Sequence, residues 1–219
     1  MTEPLIMESI NSCDSCVIWL HGLGANKHDF ASVAKELRSI LPKTRFILPQ
    51  APVRPVTFNA GFPTTSWYDI IAIDQTRQFN TKELEQSADY VISLIEQAIN
   101  SGIAANRIVL AGFSQGGAVV LHTGILRWQQ DLAGILALST YAPTFADDLD
   151  ISPNKQNLPV MIMHGTLDNV VPIILAEDAY QKLQHKTQVQ MKTYEMAHQL
   201  CGEQLGDIAN FLVQIIAAK

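Results

Sequence analysis

Gly112-Phe113-Ser114-Gln115-Gly116 reads G-x-S-x-G, and its flanks decide the fold. The apolar run Arg107-Ile108-Val109-Leu110-Ala111 precedes it, and Gly117-Ala118-Val119-Val120-Leu121 follows. That pattern predicts a strand, a sharp turn and a helix. A turn this tight brings backbone segments together, so small residues must flank the serine. The serine is lifted onto the tip of the turn. The helix behind it aims free N–H groups and the positive end of its dipole at the same spot, where an oxyanion would be stabilised. The run from Ile108 to Leu126 is uncharged and long enough for a membrane span. It also holds Ser114, Gln115, His122 and four glycines, and a buried strand–turn–helix explains it better.

The same alternation extends in both directions. Val17–Leu20, Thr44–Leu48, Ile135–Leu138, Val160–Met163 and Val189–Tyr194 read as further strands, short, β-branched and mostly apolar on both faces. Helices are expected over Asp29–Leu41, after Asn80, from Ile173 to Leu183 and over Leu205–Ile216. Asn80 and Glu83 have the spacing of a capping box, and Gly102 ends that helix. Alternating strands and helices predict an α/β fold with a mostly parallel central sheet and helices on both faces. Residues 1–219 are expected to form one domain. Pro49 to Ile73 stands apart as a long connection rich in proline, glycine and aromatics.

In open parallel sheets ligands sit beyond the C-terminal ends of the strands, so the residues following each strand carry the chemistry. His21-Gly22-Leu23-Gly24 follows the first strand. A dinucleotide loop would need a third glycine where Lys27 stands, which discounts a Rossmann site. Asp168 lies beyond Val160–Met163, and His198 beyond Val189–Tyr194. Alone, such an aspartate caps a turn and such a histidine is merely exposed. The order Ser114, Asp168, His198, each just past a strand, is that of an α/β-hydrolase triad. A serine hydroxyl needs a base to take its proton, and the base needs a carboxylate to fix its tautomer. The backbone N–H groups of Leu23 and Gln115 are then the expected oxyanion donors.

Composition narrows the classes. The chain has 219 residues, 47% of them hydrophobic and 16% charged, as in a globular protein with one sizeable core. A net charge of −6 argues against a nucleic-acid partner. No metal-ligand cluster and no cofactor motif are visible, so none is expected. Three cysteines, an odd number, speak against a disulfide framework. With no secretory signal apparent, a cytoplasmic location is the expectation. Cys13 and Cys16 form a C-x-x-C, but Cys16 runs into a strand, so a redox role is discounted.

Together these segments resemble the small bacterial carboxylesterases related to acyl-protein thioesterases and lysophospholipases. The resemblance rests on Val17 to Ala25, Arg45-Phe46-Ile47-Leu48-Pro49-Gln50-Ala51-Pro52, Ser66-Trp67-Tyr68-Asp69-Ile70, Ala111 to Gly117, and the Asp168 and His198 segments. It implies an α/β-hydrolase fold without a large cap. It also implies hydrolysis of carboxylic esters or acyl thioesters through an acyl-enzyme, with Ser114, Asp168 and His198 as triad and Leu23 and Gln115 as oxyanion donors. Gln199-Leu200 before Cys201 departs from the family pattern, in which serine and valine are usual, and bears on the pocket rim. Trp67, which the resemblance puts near the active site, is expected to line an apolar acyl groove with Leu23 and Phe113. Small esters, acyl thioesters, lysolipids and acylated proteins all fit as substrates, and a homodimer is compatible with a capless site. A lysophospholipase, or a catalytically silent binding module on the same fold, remains an alternative reading.

Overall fold

The computed structural model describes residues 3–73 and 78–217. Its framework is a seven-stranded sheet in the order β1-β3-β2-β6-β7-β8-β9. The strands are β1 (Leu5–Met7), β2 (Ser15–Leu20), β3 (Thr44–Leu48), β6 (Ile108–Phe113), β7 (Gly134–Leu138), β8 (Pro159–Gly165) and β9 (Gln188–Tyr194). All neighbours pair in parallel except β1, which closes one edge against β3 in antiparallel register. The central strands are apolar on both faces because helices cover both. Ile18, Leu110 and Ile135 point into one apolar cluster, with α2 (Thr81–Asn100), α3 (Gln115–Leu121) and α4 (Ile173–Leu183). Val17, Trp19, Val109 and Leu136 alternate into the other, with α1 (Ala31–Ile40) and α5 (Gly202–Ala217). This is the α/β-hydrolase architecture expected from the sequence.

Local signals account for the helix ends. Asn80 Oδ1 accepts the Glu83 N–H at 3.2 Å, so the cap forms. The reciprocal half of the capping box does not: the Asn80 N–H goes to Asp69 O, and Glu83 accepts the Asp69 N–H and pairs with Arg54. Gly102, at φ +99°, turns the chain out of α2. Helix α3 continues as a π-helical turn, His122–Arg127.

The long connection after β3 is more ordered than its composition suggests. It contains an antiparallel hairpin, β4 (Val53–Val56) and β5 (Phe62–Thr65), with Pro55 opposite Pro63. A proline lacks the N–H that a ladder needs, and a two-stranded ribbon tolerates it because each strand is an edge. Ala60 and Gly61 take positive φ to close the turn. This hairpin, absent from the sequence expectations along with β1, lies against the loop that follows β2: Gly24 donates to Thr65 O at 2.8 Å.

Candidate active site

Ser114 sits between β6 and α3 at φ 54°, ψ −122°, a conformation that L-residues rarely adopt. Close packing on every side holds it there. A β-carbon built on Gly112 would lie 2.4 Å from Gly116 O, and one on Gly116 would lie 2.5 Å from His21 O. Both glycines of G-x-S-x-G are therefore demanded by contact. The Ser114 N–H donates to Leu138 O at 2.9 Å, and Thr140 Oγ1 donates to Ser114 O at 2.6 Å.

Asp168 and His198 reach this serine because their loops are joined. Thr166 N–H donates to Tyr194 O and Leu167 N–H to Met196 O, which carries the β8–β9 pairing beyond the strands. Gly165 lies so close that a β-carbon there would be 2.2 Å from Met196 O. Asp168 is buried, and its Oδ1 accepts the N–H groups of Val170 (2.9 Å) and Val171 (2.8 Å). Its Oδ2 accepts from His198 Nδ1 at 2.7 Å. With the Nδ1 proton held there, Nε2 is left as acceptor for the Ser114 hydroxyl, 2.9 Å away. The three side chains form one hydrogen-bonded line. The Phe113 ring lies beside the imidazole, 4.8 Å between centroids.

His164, at the end of β8, is a buried neighbour that sequence reasoning left unassigned. Its Nε2 donates to Val171 O at 2.8 Å and lies 3.5 Å from Asp168 Oδ2. Burial lowers its pKa below the ordinary histidine range, more strongly than Asp168 raises it. It braces the acid loop as a neutral ring.

The loop after β2 is pinned from below. Buried His21 donates from Nδ1 to Gly22 O at 2.7 Å, and its Nε2 accepts the Ala51 N–H at 3.1 Å. Desolvation pushes its pKa down as well, so it remains neutral. Leu23 follows directly, and Gln115 is the first residue of α3. Neither backbone N–H has a hydrogen-bond acceptor among the described residues. The Gln115 side chain, in contrast, is fully engaged. Its Oε1 accepts the Trp67 N–H at 2.9 Å, and its Nε2 donates to Tyr68 O at 2.7 Å.

A groove of about 300 Å³ opens beside Ser114 and His198, lined by Leu23, Phe30, Phe113 and Leu200, with Asp29 and Gln199. Leu23 and Phe113, two of the three residues proposed from the sequence for an acyl groove, are on its wall. Trp67 does not: it is 0% exposed, and its indole N–H donates to His21 O at 2.8 Å. The sequence shows an aromatic in a loop but not the direction of its ring. Leu200, one of the two residues that depart from the family pattern, sits on this rim. Cys13, Cys16 and Cys201 are free thiols, and burial of Cys16 raises its pKa, opposite to what redox chemistry needs.

Comparison with known proteins identifies the family. The model of the phospholipase/carboxylesterase family matches residues 1–216. Acyl-protein thioesterase 1 of Neurospora crassa is 36% identical over 225 residues, covering 96% of this chain and 91% of that protein. Acyl-protein thioesterase 1 of Mycosarcoma maydis is 36% identical over 222 residues, covering 93% and 92%. Among solved structures, Zea mays acyl-protein thioesterase 2 superposes with a TM-score of 0.84 at 24% identity, covering 99% of this chain and 100% of its own. Arabidopsis thaliana SOBER1 gives 0.85 at 24%, covering 93% and 100%. The two structures share the fold with this protein, and the family match and curated relatives go further: the chain belongs to the phospholipase/carboxylesterase family of serine hydrolases.

Proposed function

We propose that this enzyme cleaves acyl thioesters and carboxylic esters through an acyl-enzyme on Ser114, with His198 as base and Asp168 as its orienting carboxylate. The observation that carries the reading is the continuous Ser114–His198–Asp168 hydrogen-bonded line at 2.9 and 2.7 Å. His198 Nε2 takes the hydroxyl proton as Oγ attacks the acyl carbon. The carbonyl oxygen becomes an oxyanion facing the N–H groups of Leu23 and Gln115 at the start of α3. Asp168 stabilises the imidazolium through Nδ1. When the tetrahedral adduct collapses, the thiol or alcohol leaves, with the His198 proton available to it. Water then attacks the acyl-enzyme with His198 again as base, returning Ser114 and a free acid.

The groove favours an apolar acyl group, because Leu23, Phe30, Phe113 and Leu200 line it. The curated relatives are acyl-protein thioesterases, and an S-acylated protein is the substrate class we favour. A lysolipid uses the same machinery and is the second reading, since the family description includes phospholipases. A cytoplasmic location suits three free cysteines. A fluorophosphonate probe tests the core of the proposal. It should label wild-type enzyme at Ser114 and leave Ser114→Ala unlabelled and folded, with hydrolysis reduced by several orders of magnitude. Residual turnover should be about 10³-fold over water. Undiminished hydrolysis by Ser114→Ala would remove the serine from the mechanism, and an unlabelled wild type would point to a catalytically silent binding module.

A further inference from the structure

The two backbone groups proposed as oxyanion donors belong to separate elements, the loop after β2 and the start of α3. Their spacing must be held to a fraction of an ångström for the developing charge to feel both. Strand β5 and the three residues after it run between these elements and bond to each. Toward the β2 loop there are three bonds. Gly24 N–H donates to Thr65 O (2.8 Å), Thr65 Oγ1 donates to Ala25 O (2.7 Å), and Trp67 Nε1 donates to His21 O (2.8 Å). They bracket Leu23 in sequence on both sides. Toward α3, the Gln115 side chain accepts the Trp67 N–H (2.9 Å) and donates to Tyr68 O (2.7 Å). Ser66 Oγ completes the junction, 3.0 Å from Gln115 Nε2. Ser66, Trp67 and Gln115 are buried, so these bonds face little competition from water.

We propose that Thr65 and Trp67 are positioning residues for the oxyanion hole: they tie the loop bearing the Leu23 N–H to the residue bearing the Gln115 N–H. Neither is on the wall of the groove beside Ser114. Each acts through a carbonyl of the β2 loop, Thr65 on Ala25 and Trp67 on His21. This rests on the acyl-enzyme reading above, and it gives Trp67 a role distinct from reading the acyl chain. Its loss should weaken the transition state and leave substrate binding alone, whatever the acyl length.

Thr65 gives the cleaner test because it is only half-buried and has an isostere. Thr65→Val removes the hydroxyl and keeps the shape, and Thr65→Ser keeps the hydroxyl. Turnover of p-nitrophenyl butyrate is measured per active site, titrated with a fluorophosphonate. Affinity for a trifluoromethyl ketone, which forms a tetrahedral adduct, is measured alongside. Thr65→Val should lower kcat about 10-fold with KM nearly unchanged, and weaken the ketone by the same factor. Thr65→Ser should restore both. Trp67→Phe, which loses only the indole N–H and some volume, should show the same split on acetyl and octanoyl esters alike. Wild-type kcat in Thr65→Val, a loss confined to KM, or an equal loss in Thr65→Ser would overturn the proposal while leaving the nucleophile assignment standing. Absence of fluorophosphonate labelling in the wild type would overturn both.

Discussion

Replacing Asp168 with asparagine tests the hydrogen-bonded line at its least exposed point. The side chain has two distinct jobs. Oδ1 accepts two backbone N–H groups, from Val170 and Val171, and Oδ2 accepts one proton from His198. An amide has one oxygen and one NH2. Turning the NH2 toward Val170 and Val171 would set it against two hydrogen-bonded donors at 2.8–2.9 Å, whereas turning it toward His198 opposes one such donor, with His164 Nε2 farther off at 3.5 Å. The oxygen therefore stays with the backbone pair, and the NH2 faces Nδ1. Nδ1 must then become an acceptor, which moves the imidazole proton to Nε2, where it meets the Ser114 hydroxyl as a donor. The base is present, correctly placed and in the wrong tautomer. The corresponding change in Ser-His-Asp proteases lowers kcat about 10⁴-fold, equal to about 5.4 kcal/mol at 1.36 kcal/mol per decade. Here a loss of the same order is expected on a p-nitrophenyl ester. The melting temperature should change little, because both backbone bonds survive. Rates of fluorophosphonate labelling should fall in parallel with kcat. A loss below about 10-fold would show that Asp168 does not set the tautomer.

Other expectations follow from the groove, the packing and the buried histidines. Catalytic efficiency should rise with acyl length by up to about fourfold per methylene, from about 0.8 kcal/mol each, until the groove is filled. A flat series would refute an acyl role for Leu23 and Phe113. Gly165→Ala forces a β-carbon against Met196 O, 2.2 Å away, and should separate the acid and base loops, lowering both kcat and melting temperature. Full activity in this variant would contradict the close approach. His21 and His164 have pKa values lowered by burial from an ordinary 6.5, so the folded state binds fewer protons than the unfolded chain. Their contribution is complete above that value and lost as pH falls through the folded values. The melting temperature should therefore decline below about pH 6.5, and a constant value down to pH 5 would refute this linkage. Chelators should leave activity unchanged, since the Ser114–His198–Asp168 line supplies nucleophile and base by itself; loss of activity restored by a divalent ion would contradict this.

The central strands were legible because burial on both faces leaves short apolar runs, and the glycines of G-x-S-x-G were legible because contact forbids anything larger. Asp168 and His198 gave no local signal. Their position just beyond two strands, in the order Ser–Asp–His, singled them out, and the structure brings them together through the joined β8 and β9 loops. The strand β1 escaped notice because three residues at a sheet edge carry no periodicity. The β4–β5 hairpin was hidden by Pro55 and Pro63, which normally argue against pairing. Trp67 departs from expectation because a resemblance that puts its segment near the active site does not tell a ring that faces a groove from one whose N–H serves a buried carbonyl. The same gap concealed the Gln115 side chain and His164, whose roles depend on partners distant in the chain.

The joined acid and base loops separate two kinds of variation. The bonds from Thr166 to Tyr194 and from Leu167 to Met196 run through backbone atoms, so they are indifferent to side-chain identity at those positions. Gln199 and Leu200 lie just past this seam, on the groove wall. Substitutions there alter the shape offered to a substrate without entering the framework that aligns Asp168 with His198. A change of substrate made at one rim residue would therefore start from an intact proton relay. In a laboratory library, randomising Gln199 and Leu200 should yield mostly active enzymes that differ in selectivity, whereas randomising Gly165 should yield mostly inactive ones.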